Sequence, residues 1–121
     1  MAEFDDALLE RIKSVVQAGD AISTLSNNRP NVIAAIDSDG IWVHTLRSDS
    51  LRFGPQFVPA WMIMTAWHHL QKKGTLTHTE LLDALNVKRS AFVIALLAQF
   101  PDVVVRSTRP IVIELVVGDH S

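Results

Sequence analysis

The chain has no cysteine among its 121 residues, which removes disulfides, thiolate nucleophiles and cysteine zinc sites together. It also lacks any apolar run near the roughly 20 residues needed to cross a bilayer. Its first residues, Met1 to Asp6, are acidic where a secretory leader is basic. A soluble cytoplasmic protein, free of the membrane, is the expectation. No glycine-rich phosphate loop, HExxH pair or nucleophile elbow is present, so no enzymatic activity, cofactor or small-molecule substrate is expected. Strong positive charge is missing too. The formal net charge is −2, with five Lys/Arg against eight Asp/Glu in residues 1–58 and six against five in residues 59–121, so the halves carry −3 and +1. Nucleic-acid affinity is drawn largely from phosphate neutralisation, and any such footprint must come from local clustering.

What is present is enough for one domain, since a chain of this length buries roughly 65% of its unfolded surface. Phe4, Leu8, Ile12, Val15 and Val16 recur at helical spacing, which predicts an amphipathic helix ended near Gly19. Asp20 is expected to cap a short further turn through Ile22 and Leu25, stopped by Asn27-Asn28-Arg29-Pro30. Val32-Ile33-Ala34-Ala35-Ile36 and Ile41-Trp42-Val43-His44-Thr45-Leu46 flank Asp37-Ser38-Asp39-Gly40. That arrangement reads as a hairpin whose Asp-Gly supplies a positive φ at the turn. The stretch 47–58 is expected to be irregular and pinned by Phe53 and Phe57, with Arg47 and Arg52 as possible extensions of a basic face. Pro59 suits a helix start and Gly74 its end. The helix between them is apolar around most of its circumference and is the expected central helix.

Thr77 and Glu80 form a capping box, in which hydroxyl and carboxylate satisfy each other's orphan amides, with Leu81, Leu82 and Leu85 on the inward face. Asn86 either takes a left-handed turn or caps the next helix. That helix contains Ala91-Phe92-Val93-Ile94-Ala95-Leu96-Leu97 and is stopped by Pro101. Val103-Val104-Val105-Arg106 and residues 111–117 read as strands of a second hairpin around Ser107-Thr108-Arg109-Pro110, followed by a short polar tail.

Over 59–117 the order of helix, connector, helix, turn, helix, strand, wing and strand resembles the winged helix-turn-helix superfamily. The implied fold is α+β: a winged helix over 59–121 carrying an N-terminal helix and β-hairpin extension over 1–58, as a single domain. In that superfamily the second helix of the motif enters the major groove by its N-terminal residues and the wing reaches the backbone. The resemblance therefore implies double-stranded DNA as partner, addressed by Lys88, Arg89 and Ser90 on the helix and by Arg106, Thr108 and Arg109 on the wing. Thr77 and Thr79, with His78, offer hydroxyl and amide contacts to a phosphate at the preceding helix start. Affinity from a monomer is expected to be weak, which suggests a homodimer.

The alternative is a protein-interaction or assembly module on the same scaffold. Residues 91–98 contain no polar side chain, and at most half of them are expected to face the core. Some of Phe92, Val93, Ile94 and Leu97 would then form an exposed apolar patch of the kind that marks protein contacts. Phe92, Val93 and Leu97 are candidates for that interface, with Phe4, Leu8 and Ile12 of the first helix. No metal site is expected, because the adjacent His68 and His69 point about 100° apart on a helix. Trp42, Trp61 and Trp67 read as core, and Asp37 and Asp39 as turn residues.

Overall fold

The computed structural model describes residues 3–45 and 54–116. The structure is mixed α+β, a single small domain with two antiparallel sheets. Leu46, the stretch from Arg47 through Phe53, and the segment from Val117 onward lie outside the described residues.

Helix α1 spans Asp6–Val15, and Asp5 caps it by accepting a 2.8 Å hydrogen bond from the Leu8 N–H. It buries Leu8 and Ile12. It stops earlier than expected, because Val16 turns extended and inserts its own side chain into the core. Gly19, the expected terminator, sits in the following turn at φ 97°. The helical turn expected after Asp20 is instead strand β1 (Ala21–Ser23). Its three residues are too few to show a period of two, and pairing with the neighbouring strand overrides their local preference. Strand β2 (Pro30–Asp37) holds it through Ala21 opposite Val32 and Ile22 opposite Asn31.

Strands β2 and β3 (Gly40–Thr45) form the expected hairpin. Gly40 has the expected positive φ, at 159°, but from a strand position rather than within the loop. Asp37 pairs with Gly40, so the two loop residues are Ser38 and Asp39, and neither has positive φ. The Asp37 carboxylate instead accepts from the Asp39 and Gly40 amides at 3.0 and 3.2 Å. Gly40 is required by close approach: a Cβ there would lie 2.3 Å from the Val58 carbonyl oxygen. That carbonyl belongs to β4 (Gln56–Pro59), which completes a meander in the order β1-β2-β3-β4. The end of the stretch expected to be irregular is thus a strand, and Phe57 stacks on Trp42 with centroids 4.7 Å apart.

Helix α2 (Ala60–Lys73) begins directly after Pro59 and ends at Gly74 in the left-handed conformation. The hairpin turn supports its start, where the Ala60 N–H donates to the Asp39 carbonyl at 2.8 Å. α2 buries Met62, Ile63, Ala66, Trp67 and Leu70, but Trp61 is 40% exposed and is not core as expected. Strand β5 (Thr75–Thr77) follows, a strand where the sequence showed only a connector. Helix α3 (Glu80–Ala84) is wound in wide turns, with the Leu85 N–H reaching the Glu80 carbonyl five residues back. Helix α4 (Ser90–Leu97) leads to β6 (Val103–Thr108) and β7 (Ile111–Leu115), and the second sheet runs β5-β7-β6.

One core joins both halves of the chain, from Phe4 and Leu8 to Ile111 and Ile113. Its centre is α4 rather than α2: Phe92, Val93, Ile94, Ala95, Leu96 and Leu97 are all buried. A helix that is apolar all round is stable only when enclosed all round, and both β1 and α2 pack against α4. Arg11 ties α1 to this centre. It donates to Asp102 at 2.7 Å, and its guanidinium lies 4.9 Å from the Trp67 ring centre and 5.2 Å from that of Phe100. No helix among the described residues is long and apolar enough to cross a membrane.

Candidate nucleic-acid interface

The turn between α3 and α4 sets the site. Thr77 and Glu80 make the expected capping box, with the Thr77 N–H on Glu80 Oε1 and the Glu80 N–H on Thr77 Oγ1, both at 3.0 Å. Thr79 is exposed beside it. Asn86 takes the left-handed conformation at φ 56°, and Val87 behind it is fully buried. This anchor turns the chain outward at Lys88 and Arg89, both exposed. The chain then re-enters the core at Ser90, which is 4% exposed.

Ser90 therefore does not share the surface of its two neighbours. Its Oγ lies 2.8 Å from His78 Nε2, a bond that joins the start of α4 to the start of the α3 segment. The expected apolar patch is likewise absent from the surface. Phe92, Val93 and Leu97 are buried in the one core, as are Phe4, Leu8 and Ile12. All six interface candidates are core residues, and strand β1 of the N-terminal half supplies part of the cover over α4. Leu82 moves the other way. Expected inward, it is 43% exposed beside a fully buried Leu81, since neighbours on a helix point in different directions and only one of the two can face the core.

The arginines on the candidate face already have partners. Arg89 donates to the Gln56 side chain from β4. Arg106 pairs with Glu114 across β6 and β7, so its charge is offset locally. Arg109, at the two-residue tip between Thr108 and Ile111, donates to the Ser26 carbonyl at 3.1 Å. Thr108 is exposed at the same tip. Ser26 lies in the β1–β2 connector, whose Thr24 and Asn27 side chains hydrogen-bond each other and whose Asn28 has φ 54°. The connector thus runs from the hairpin tip to the start of α4, where Thr24 lines the same cavity as Lys88 and Arg89.

That cavity, of about 420 Å3, is also lined by His78, Ser90, Asn31 and Leu82. None of its lining residues is acidic. Among the described residues, the three buried polar side chains are Thr24, Asn31 and Ser90, and all three are on it. The sequence reading placed Ser90 and His78 near this surface but missed Thr24, Asn31 and Gln56. A polar residue immediately flanking a strand was the only available signal.

The described histidines do not gather into a metal site. His68 Nε2 is 4.0 Å from Asp5 and His69 Nε2 is 3.7 Å from Glu80. Among the described residues no group of three or more His, Asp or Glu is placed to hold a metal ion. Comparison with protein-family models, curated proteins and solved structures returns no match for this chain.

Proposed function

We propose that the chain is a small non-enzymatic cytoplasmic protein built on a winged helix, which contacts double-stranded DNA through the first turn of α4 and the β6–β7 tip. The winged-helix reading is supported by the order α2, β5, α3, α4, β6, β7 and by a sheet in which β7 lies between β5 and β6. The contact reading rests on one observation above all: Lys88 and Arg89 are turned outward at the start of α4, while Phe92 to Leu97 are enclosed. Such an arrangement suits phosphate contact and the bidentate grip of one guanine by Arg89. It does not suit a long groove-reading helix.

The protein-interaction alternative through α4 has no exposed surface to use, since its candidate residues are buried. With Arg106 offset by Glu114, three cations remain: Lys88, Arg89 and Arg109. Three phosphate contacts give a logarithmic salt slope of about −2.7, or about a 40-fold loss of affinity for a fourfold rise in salt. A homodimer would double that slope. The test is fluorescence anisotropy on a labelled duplex over a salt series, with the Arg89→Ala/Arg109→Ala double variant. The expected slope of the variant is about −0.9. Equal binding and equal slopes for both proteins would sink the proposal.

A further inference from the structure

We infer that the outward face of the β1–β4 sheet is where two copies of this chain pair, packed face to face about a two-fold axis with their strands running in opposite directions. The pairing uses none of Lys88, Arg89 and Arg109, so it stands or falls apart from the proposed duplex contact.

An antiparallel sheet with one buried side ordinarily alternates to polar residues on the other. Here Ile22, Ile33, Ile41, Val43 and Val58 are buried in the core. On the opposite side the register sets Ala21 beside Val32, Val32 beside His44, and Ala35 beside Trp42, which in turn lies beside Phe57. Val32 is 37% exposed, Ala21 and Ala35 are exposed, and Trp42 and Phe57 are partly exposed while stacked on each other. Across all four strands the only Asp, Glu, Lys or Arg is Asp37, the last residue of β2. Contiguous apolar surface of this kind marks protein contacts.

Charge at the two ends of the sheet selects a second copy and fixes its orientation. Exposed Arg29 precedes β2 at one end. Exposed Asp37 and Asp39 close the other end, where Glu3 accepts a 3.4 Å hydrogen bond from Ser38. The eight residues of β2 hold these ends about 27 Å apart. A two-fold axis along the strands would set Arg29 over Arg29 and Asp37 over Asp37. An axis across the strands reverses one sheet against the other and brings each Arg29 over the acidic end of the second copy. The isologous pair is then complementary in charge at both ends and apolar between them. Sheets packed face to face stay within about 30° of alignment, which preserves that match. Four strands about 4.8 Å apart and about 20 Å long give a footprint near 400 Å2 per copy. That is about half of what a standard interface buries on each side, so the dimer is weak and forms at high concentration.

The experiment is sedimentation equilibrium of the full chain from about 1 μM to about 1 mM, with NMR spectra across the same range. The chain should be monomeric at the low end and largely dimeric at the high end, and the Trp42 indole and the Val32 and Ala35 amides should shift with concentration. Ala35→Lys and Val32→Lys, each at an exposed position, should abolish the dimer while circular dichroism shows an unchanged fold. Arg29→Glu should weaken it about tenfold, through lost attraction and new repulsion at both ends. The Arg29→Glu/Asp39→Lys charge swap should recover most of that loss. A chain still monomeric at about 1 mM would overturn the inference, as would a dimer indifferent to both lysine variants. So would an Arg29→Glu variant that dimerises like the wild type, or one whose loss the swap leaves unrepaired. A Trp42 signal moved by a single-stranded oligonucleotide, in a chain that remains monomeric, would give the aromatic face to nucleic-acid bases and overturn the pairing as well. Dimerisation as expected without any duplex binding would uphold the pairing and sink the duplex contact alone.

Discussion

Replacing Leu97 by alanine separates an enclosed α4 from one with a free apolar face. Leu97 is fully buried, and the change removes three carbons from its side chain. At about 0.8 kcal/mol per buried methylene the transfer loss is about 2.4 kcal/mol. A residual cavity at the middle of the core brings the total to about 3 kcal/mol. A two-state domain of this length has an unfolding entropy near 0.25 kcal/mol/K at its midpoint, so Tm should fall by about 12 °C. Circular dichroism melts read the shift, and urea titrations at unchanged m-value confirm that stability rather than compactness has changed. Were the Leu97 side of α4 a surface awaiting a partner, the same change would stay within about 0.5 kcal/mol. A drop in Tm of only about 2 °C would refute the enclosure of α4 by β1 and restore the docking-face reading.

Gly40→Ala should cost about 3 kcal/mol, because its Cβ would meet the Val58 carbonyl at 2.3 Å and the Phe57 ring at 2.8 Å. Melting and loss of amide protection in β4 read it, and a neutral result would show that β4 is not fixed against β3. Thr77→Ala removes one half of the capping box and should cost about 1 kcal/mol. Thr77→Ser should restore most of it, and an unrestored loss would mean that packing of the methyl group, not the hydroxyl bond, is what Thr77 contributes.

Features written into a few adjacent residues were legible in the sequence. The Thr77 and Glu80 exchange, the left-handed Asn86, the limits of α2 between Pro59 and Gly74 and the Val32 to Thr45 hairpin all follow from local chemistry, and the structure shows each of them. Strand β1 was not legible, because Ala-Ile-Ser has no pattern of its own and becomes a strand only by pairing with β2. The exposure of Phe92, Val93 and Leu97 was misjudged for the same reason. An apolar run shows that a helix wants cover on every side, and only the tertiary fold shows that β1 supplies it. The cavity was hidden in turn. Of its buried polar walls, Thr24 directly follows β1 and Asn31 lies in β2 opposite Ile22, so only the pairing of the two strands brings them together.

The cover over α4 also constrains how this fold can meet a nucleic acid. A recognition helix exchanges core packing on one side for groove contact on the other, but α4 has packing on both, from Phe92 through Leu97. Any contact must then come from residues that the covering elements leave outside. Those are Lys88 and Arg89, turned out by the left-handed Asn86 and the buried Val87, and Arg109, which reaches the connector at Ser26. The β1–β2 connector is therefore more than a lid on the core. It carries Thr24 at the cavity and Ser26 at the hairpin tip, so it joins the two places where this chain offers positive charge to a phosphate. A short span of residues from Thr24 to Arg29 joins them, so the contact surface proposed above draws on both halves of the chain.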